Sequence, residues 1–393
     1  MNQANDAVFL NSANLLRALS AVAESKSESE CAQALVTAAT MVQSAILADQ
    51  PAETLEAALD SCPAQLQSYL SAVLDRAVEF HPQADGGTLG LWLVPVVLGC
   101  AQPLVDTIHL ESKALQAMRF SSTLLHQFGL AVDTTKPVTA APLGWTYLLP
   151  SLYSFESLVS AQLDHLVFLP HEARGVIRGD VKRVNFEPGE EGKEAAGGPD
   201  QLYFLPVVVY HPPGVQVCLP AESEQTAERL TRWIRASLPG VGDEQLTIRA
   251  GSRPQPYSVA LEVGKRMRRD ARARYLISET MARSNVEPHG LAALVAPYAV
   301  ANADGELTLG VSLVSRLTGA AIAVMQMPVD TDDGREEVAL TTYLLNQMGV
   351  DCTEQRPEPI HTIACQHCGS IQYSMPHPAI VSKGLSSANV ARH

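Results

Sequence analysis

"LWLVPVVL" at residues 91–98 returns at residues 202–209 as "LYFLPVVV". The two segments align residue for residue and place Pro95 and Pro206 at the same position. Each is a short, continuous apolar run, which is typical of a buried β-strand. Because proline cannot donate a hydrogen bond to a neighbouring strand, we expect each strand to lie at a sheet edge or to contain a bulge.

The similarity extends beyond these strands. Each proline is followed, 34 residues later, by a glycine that closes an amphipathic helix, Gly129 in "LLHQFG" and Gly240 in "RASLPG". Both glycines therefore keep the offset of 111 residues that separates the two prolines. A short strand follows each glycine ("LAVDT" and "QLTIRAG"), and then a second helix near 151–168 and 257–283. This shared period predicts duplication of a β(β)αβα unit.

A third, looser copy follows the second. "ALVAPYAV" (293–300) places Pro297 at the proline position, and "ELTLGVSLVSR" and "GAAIAVMQMPV" are predicted to form a β-hairpin around "LTG". The helix "EEVALTTYLLNQMG" ends at Gly349, and its tail is similar to "LLHQFG" of the first copy. This copy ends at a CxxC motif instead of a second helix.

Residues 10–80 have a different hydrophobic pattern, in which apolar residues recur at helical spacing. Leu15, Leu19 and Val22 form one such stripe, and Pro51 precedes another helix with acidic residues in its first turn. We expect four antiparallel helices there. The sequence thus predicts an α+β fold with an N-terminal helical region and tandem β(β)αβα units, the last ending in a CxxC knuckle. The predicted divisions are a helical region at 1–84, a first α/β unit at 85–186, a flexible linker at 187–200, a second α/β unit at 201–288, a third, divergent unit at 289–380 and a tail at 381–393.

Composition limits the classes of function. The chain has 393 residues, of which 46% are hydrophobic and 18% charged, which is enough for two or three domains with buried cores. The formal net charge of −14 repels phosphate backbones and anionic lipid. Nucleic acid is therefore a disfavoured partner, and a protein partner is the expectation.

Several features predict a cytoplasmic protein. The seven cysteines are odd in number and mostly far apart, unlike a disulfide framework. The N-terminus lacks a basic segment and carries Asp6, which argues against a signal peptide. The uncharged run at 86–105 contains Pro95 and Pro103, and we expect a strand there and no membrane span.

The CxxC motif lies in "HTIACQHCGSIQYS" (361–374), where strand-like residues flank Cys365 and Cys368. This form resembles half of a zinc ribbon, in which two thiolates point at one ion. Cys352 and His361 could complete a Cys₃His zinc site, or two chains could each contribute a pair and make a homo-oligomer. A turn without metal is the alternative, and a redox pair is less favoured because "GSIQYSMPHP" is a poor helix.

A basic run, "GKRMRRDARARY" (264–275), stands out in this acidic chain. Helical spacing places several of its charges on one face, and the predicted partner-binding residues are Lys265, Arg266, Arg268, Arg269 and Arg272. They could dock an acidic partner or a nucleic-acid phosphate. The alternative is a solvated face paired with the protein's own acidic residues.

Two further observations bear on function. Trp145, Tyr147, Tyr153 and Phe155 cluster within "GWTYLLPSLYSF" (144–155), where core packing is favoured over a binding surface. The chain also lacks the P-loop, dinucleotide-binding, zinc-protease and nucleophile-elbow motifs.

The basic helix, "EPHGLAALVAPYA" (287–299) and the CxxC after "LLNQMGV" (344–350) together resemble an uncharacterised family of cytoplasmic proteins from proteobacteria. The resemblance covers about 88–377 and implies no activity.

The sequence as a whole favours a binding, scaffold or regulatory protein over an enzyme, with the CxxC as a structural metal knuckle. Two alternatives stay open. One is an enzyme with its site in the cleft between repeat units, and the other is docking through the basic helix at 264–275.

Overall fold

The computed structural model describes most of the chain. The described residues are 10–48, 52–100, 104–110, 131–132, 145–184, 186, 198–213, 217–218, 224–238, 246–284, 286–299, 307–329, 334–361, 363–364 and 371–373. The chain divides into two compact units, here called unit 1 (Met1–Met267) and unit 2 (Arg268–His393).

Unit 1 begins with the four helices that the sequence predicts. They are α1 (Ser12–Ala23), α2 (Glu28–Leu47), α3 (Ala52–Asp60) and α4 (Gln67–Glu79). The first two helices begin after N-cap residues whose side chains accept hydrogen bonds from first-turn amides. Asn11 accepts from Asn14 N–H, and Ser27 accepts from Glu30 N–H. The apolar stripe of α1 is buried, with Leu19 fully inaccessible to solvent.

The rest of unit 1 is built on one antiparallel sheet. They are β1 (Phe80–Pro82), β2 (Thr88–Cys100), β3 (Thr107–His109), β5 (Trp145–Leu148), β6 (Ser151–Ser154), β7 (Gly198–His211), β9 (Thr247–Ala250) and β10 (Gln255–Pro256). All eight belong to one sheet, in which β2 and β7 are the long inner strands. A separate pair consists of β4 (Ala131–Val132) and β8 (Val217–Cys218).

The two proline-containing strands pair with each other. β2 and β7 run antiparallel from Thr88↔His211 to Cys100↔Gly198, and Val94 is directly opposite Leu205. The expectation that each strand lies at a sheet edge is wrong, because both strands are inside the sheet. Their pairing does contain an irregularity, a register shift between Leu98 and Cys100, which lies away from both prolines.

The prolines are tolerated because each lies where the neighbouring strand is interrupted. On the outer side of β2, β10 pairs as far as Leu93 and β9 pairs from Val96 onward. Pro95 lies at this break, so its missing N–H removes no ladder hydrogen bond there. Its carbonyl accepts a hydrogen bond of 2.8 Å from Gly251 N–H.

Pro206 has the same environment on the other side of the sheet. β5 pairs with β7 as far as Val207, and β6 pairs with it from Phe204. Pro206 lies between them, and its carbonyl accepts from Leu149 N–H at 3.1 Å. The short strands that follow one long strand in sequence thus pair with the other long strand.

The pairing changes one correspondence expected from the predicted repeat, that of "LAVDT" with "QLTIRAG". β5 (Trp145–Leu148) pairs with β7 in the way that β9 ("QLTIRAG") pairs with β2, so the counterpart of β9 is β5. The part of "LAVDT" that the structure describes, Ala131–Val132, pairs with β8 instead.

Four helices complete the described part of unit 1, and the last of them extends past Met267. They are α5 (Phe155–Ser160), α6 (Leu163–Arg178), α7 (Glu224–Ser237) and α8 (Tyr257–Ser284). The predicted helix near 257–283 is confirmed. The one near 151–168 begins later, at Phe155, because residues 151–154 are strand β6. Glu79 fixes the start of α8, since its Oε1 accepts from Ser258 N–H at 2.9 Å and from Ser258 Oγ at 2.7 Å.

Unit 2 contains a second sheet with strand order β13-β12-β11-β14. Its strands are β11 (Leu291–Ala299), β12 (Leu307–Ser315), β13 (Ala321–Pro328), β14 (Asp351–Gln355) and β15 (Ile360–His361). The predicted hairpin is confirmed as the antiparallel pair β12–β13. Helix α9 (Arg335–Gln347) ends just before Gly349, whose φ of +84° is a left-handed conformation that suits glycine. β16 (Ile363–Ala364) and β17 (Ile371–Gln372) form a separate pair.

Some predicted features lie outside the residues that the structure describes. Gly129, Gly240 and the tail at 381–393 lie outside them, as does most of the predicted linker, although β7 includes its last three residues. None of the described helices combines the length and apolar character needed to cross a bilayer. The uncharged run at 86–105 contains strand β2.

Candidate functional site

A groove of about 710 Å³ opens on unit 1 between α7, the β9–β10 turn and α8. Its volume is in the range of small-molecule sites in proteins. The lining residues are Glu224, Ala227, Glu228, Thr231, Arg232, Ile248, Arg249, Ala250, Gly251, Ser252, Arg253, Gln255, Val263 and Met267.

Helix α7 forms one wall because it is fastened to the outer edge of β9. Thr231 Oγ1 accepts from Ala250 N–H at 3.1 Å, and Arg235 donates to the carbonyl of Leu246 at 3.4 Å. On its inner face, Leu230 and Ile234 are buried in the core. The first two turns of the helix are left to line the groove.

The β9–β10 turn forms the floor and is held against β2. Gly251 N–H donates to Pro95 O, and a Cβ at Gly251 would lie 3.0 Å from Pro95 Cγ. Gln255 then pairs with Leu93 of β2. The contact at Gly251 explains why glycine is required there, since a side chain would push the turn away from the sheet.

Gln255 is the most informative residue of the groove. It is only 5% exposed, yet no hydrogen bond joins its side-chain amide to any residue that the structure describes. Its amide nitrogen and oxygen are not among the buried unpartnered atoms of the described residues, so solvent in the groove reaches them. An amide that lines a groove without a protein partner is available as a recognition group for a ligand.

The charged residues of the groove are three arginines and two glutamates. Arg249 and Arg253 belong to β9 and the following turn, whereas Arg232, Glu224 and Glu228 belong to α7. Both glutamates lie near the start of α7, where carboxylates complement the helix dipole. No histidine, cysteine or lysine is among the described lining residues, so Glu224 and Glu228 are the acid–base side chains of the groove.

The predicted partner-binding residues form several contacts within the chain. In unit 1, Lys265 forms an ion pair of 2.9 Å with Glu262 and lies 5.7 Å from the centre of the Phe155 ring. In unit 2, Arg269 pairs with the buried Glu337 at 2.5 Å.

Arg274, which follows these residues in the same run, pairs with Asp270 at 2.9 Å and donates to Gln347 at 3.1 Å. Arg266, Arg268 and Arg272 each have at least one interaction as well. Part of the charge of the run is thus neutralised internally, and a role in partner binding stays a prediction.

The predicted metal ligands are only partly described. Cys365 and Cys368 lie outside the described residues, but the strands that flank them do pair, with Ala364 opposite Ile371. Cys352 pairs with Ala293. His361 pairs with Ala299 of the same strand. The described residues contain no group of three or more potential ligands.

This register limits the proposed Cys₃His set. Ala293 and Ala299 are six residues apart on β11, so the backbones of Cys352 and His361 are separated by about 20 Å. Ligands of one zinc ion lie about 2.0–2.3 Å from the metal. At most one of these two residues can therefore join Cys365 and Cys368 at a single ion.

The aromatic cluster packs inside unit 1. Trp145 stacks on Tyr210 with ring centres 5.6 Å apart, and Phe155 lies 6.4 Å from Phe204. Tyr153 is 4% exposed and packs edge-to-face on Phe186 at 5.0 Å. These contacts agree with the favoured interpretation of core packing.

A buried histidine pair is a second polar feature of unit 1. His81 is 1% exposed, its Nε2 lies 2.9 Å from the carbonyl of Val78, and its Nδ1 lies 3.3 Å from Gln43 Nε2. Burial lowers the pKa of His81 to about 4. The ring of His171 is 5.2 Å away, and burial and Arg174 lower its pKa too. Both imidazoles are neutral at pH 7.

No family model matches this chain, and comparison with curated proteins and with solved structures found no match. The resemblance to an uncharacterised proteobacterial family is therefore not tested by these comparisons.

The groove itself was not predicted from the sequence. Its residues come from three segments between Glu224 and Met267, and each segment has an ordinary local pattern. The available signal is "GSRPQP" (251–256), a polar turn with an arginine directly after a strand. Because Gln255 is surrounded by turn residues, nothing local indicates that it is buried.

Proposed function

We propose that this chain is a binding protein, not an enzyme, and that its ligand occupies the groove between α7, the β9–β10 turn and α8. The observation that carries the proposal is the side-chain amide of Gln255, a groove residue that has no hydrogen-bond partner in the described structure. The mixed lining of arginines, glutamates and apolar residues supports binding of an organic molecule.

Methyl NMR of Met267 tests this proposal, because Met267 lines the groove. Protein carrying ¹³C-labelled methionine methyl groups is mixed with six-carbon probes that are neutral, anionic or cationic. A Met267→Leu variant identifies the signal among the nine methionines. We expect at least one probe to shift the Met267 signal.

Two variants of α7 give a matched control. Ala227 lines the groove, whereas Ala236 is exposed elsewhere on the same helix. Ala227→Phe is expected to abolish the probe-induced shift by filling the groove, and Ala236→Phe is expected to retain it. If no probe moves the Met267 signal, or if both variants respond alike, the groove is not the binding site.

A duplicated origin of unit 1 is part of the proposal. The pairing of Val94 with Leu205 supports it, because these residues are equivalent under the offset of 111. The matching environments of Pro95 and Pro206 support it as well. Equivalent short strands, such as Leu148 and Ala250, keep an offset of 102 instead. A length difference of nine residues between the two copies would account for this change.

A structural zinc site at Cys365 and Cys368 is a separate proposal. Its support is the β16–β17 pair, which places the CxxC between two paired strands as in a zinc knuckle. Either Cys352 or His361 would be a third ligand. Docking of an acidic protein partner through Lys265, Arg266, Arg268 and Arg272 also stays a proposal, whereas Arg269 is engaged with Glu337.

A further inference from the structure

We propose that the ligand of the groove is an organic carboxylate with an apolar chain, held by Arg232 and Gln255. This inference rests on the proposed function, since it names the chemistry of the molecule that the same groove would bind. Three observations lead to it: the charges of the lining, the donor capacity of Gln255, and the apolar residues behind them.

The charges favour an anion. The lining contains three guanidinium groups and two carboxylates, and Arg249 and Arg253 also interact within the protein, which leaves Arg232 as the cation that the inference uses. Arg232 is exposed and forms no ion pair with any described residue. Glu228 is one turn earlier on α7, but no ion pair joins it to Arg232 in the described structure. Arg232 is thus available to a ligand, and a guanidinium binds a carboxylate through two parallel hydrogen bonds.

Gln255 complements Arg232. A carboxylate has about four lone-pair positions, of which a guanidinium occupies two. The amide N–H₂ group of Gln255, which solvent reaches in the groove, can donate to a remaining position. Because an amide donor and a guanidinium both favour oxygen acceptors, a ligand with an acidic group satisfies both residues at once.

The remaining lining is suited to a hydrocarbon chain. Ile248, Val263 and Met267 contribute aliphatic surface, and Met adapts readily to ligands of irregular shape. Each methylene group buried against such residues increases affinity by about fourfold. We therefore expect affinity to require both an acidic group and several carbons.

Binding of three probes that share a six-carbon chain tests the inference on the full-length protein. Hexanoate, hexanol and hexylammonium are titrated separately while the Met267 methyl signal is followed. We expect hexanoate to bind at least tenfold more tightly than hexanol, and hexylammonium to bind most weakly. Hexyl phosphate is a fourth probe, and tighter binding of this compound than of hexanoate would overturn the choice of a carboxylate.

Variants locate the acidic group. Arg232→Gln and Gln255→Leu are each expected to weaken hexanoate binding by about tenfold, since loss of one charge-assisted hydrogen bond has this effect. An unchanged midpoint of urea unfolding shows that each variant is folded. Arg229→Gln is the matched control, because Arg229 is exposed on α7 but does not line the groove.

The outcomes separate the two proposals. If hexanol or hexylammonium binds as tightly as hexanoate and Ala227→Phe abolishes the shift, the groove is a binding site but the carboxylate inference fails. If Arg229→Gln weakens hexanoate as much as Arg232→Gln does, the effect is non-specific charge and the inference fails again. If none of the four probes moves the Met267 signal, both proposals fail.

Discussion

Val94 lies directly opposite Leu205 in the antiparallel pair of β2 and β7, and the two residues are 111 positions apart in the chain. In the proposed repeat, these positions are equivalent. When two equivalent strands pair antiparallel and one residue lies opposite its own equivalent, a local two-fold axis passes between these two residues. Pro95 and Pro206 are therefore expected to behave alike, one on each side of this axis.

Replacement of either proline by alanine tests this equivalence. Alanine adds a backbone N–H at the interruption between two short strands, where Pro95 and Pro206 are both buried. A buried unsatisfied N–H costs about 1–3 kcal/mol, and we expect Pro95→Ala and Pro206→Ala to lower the free energy of unfolding by similar amounts in this range. Urea unfolding followed by tryptophan fluorescence measures this, because all three tryptophans, Trp92, Trp145 and Trp233, are in unit 1.

Pro213→Ala is the control for chain entropy, since Pro213 is exposed. It is expected to cost less than 1 kcal/mol. A strongly destabilising change at one inner proline and a neutral change at the other would contradict the equivalence of the two sites.

The stability of unit 1 should fall in mild acid because of His81. Its pKa is about 4 in the folded chain and near 6.5 when unfolded, so the unfolded chain binds more protons between these values. The free energy of unfolding should therefore decrease as pH falls from 6.5 to 4, by up to about 3 kcal/mol from His81 alone. Urea unfolding at several pH values, followed by tryptophan fluorescence, measures the slope.

His81→Gln should flatten this slope by up to one proton, while His171 and the half-buried His211, whose pKa values are also lowered, contribute to the rest. His165→Gln is the matched control, since that side chain is exposed. If His81→Gln and the wild-type protein keep the same slope, protonation of His81 does not limit stability in acid.

Breaking the ion pair between Arg269 and Glu337 should destabilise unit 2. Glu337 is 2% exposed, and Glu337→Ala leaves the guanidinium buried without this carboxylate. We expect a loss of about 3–5 kcal/mol, seen as faster hydrogen exchange in β11 to β13. Arg269→Met combined with Glu337→Leu should recover most of the protection. Glu279→Ala, which breaks an exposed pair with Arg283, should cost less than about 1 kcal/mol.

Zinc content tests the proposed knuckle. Purified protein should contain one zinc per chain by atomic emission, and Cys365→Ser or Cys368→Ser should remove it. Because the backbones of Cys352 and His361 are far apart, no more than one of Cys352→Ser and His361→Gln should lower the zinc content. Cys31→Ser is the control, as Cys31 is a free thiol in α2. Zinc-free protein, or loss of zinc in both of those variants, would overturn the proposed arrangement.

Much of the fold was predictable because its elements have strong local patterns. The four N-terminal helices, strands β2 and β7, the β12–β13 hairpin and the end of α9 near Gly349 all follow from apolar spacing and turn residues. The position of β2 and β7 inside the sheet was not predictable. It depends on where the partner strands are interrupted, and those interruptions are set by residues far away in sequence, such as Gly251 and Leu149.

The candidate site was less accessible from the sequence. The CxxC cysteines and the basic run can be identified as candidate sites from the sequence because their residue types cluster along the chain. The groove residues cluster only in space, and the unusual property of Gln255 is that a largely buried residue carries an amide without a protein partner. Neither property has a sequence signature, since glutamine is mostly exposed in proteins.

The pairing of β2 with β7 also governs how this protein is made. During synthesis, β2 leaves the ribosome before its main partner exists, and about 110 residues must be added before β7 follows. At 5–20 residues per second this takes roughly 5–20 s. During this interval both edges of the thirteen-residue apolar strand β2 lack a neighbouring strand, except for the few residues that pair with β1. Nascent chains of this protein are therefore expected to depend on chaperones until residue 211 has emerged.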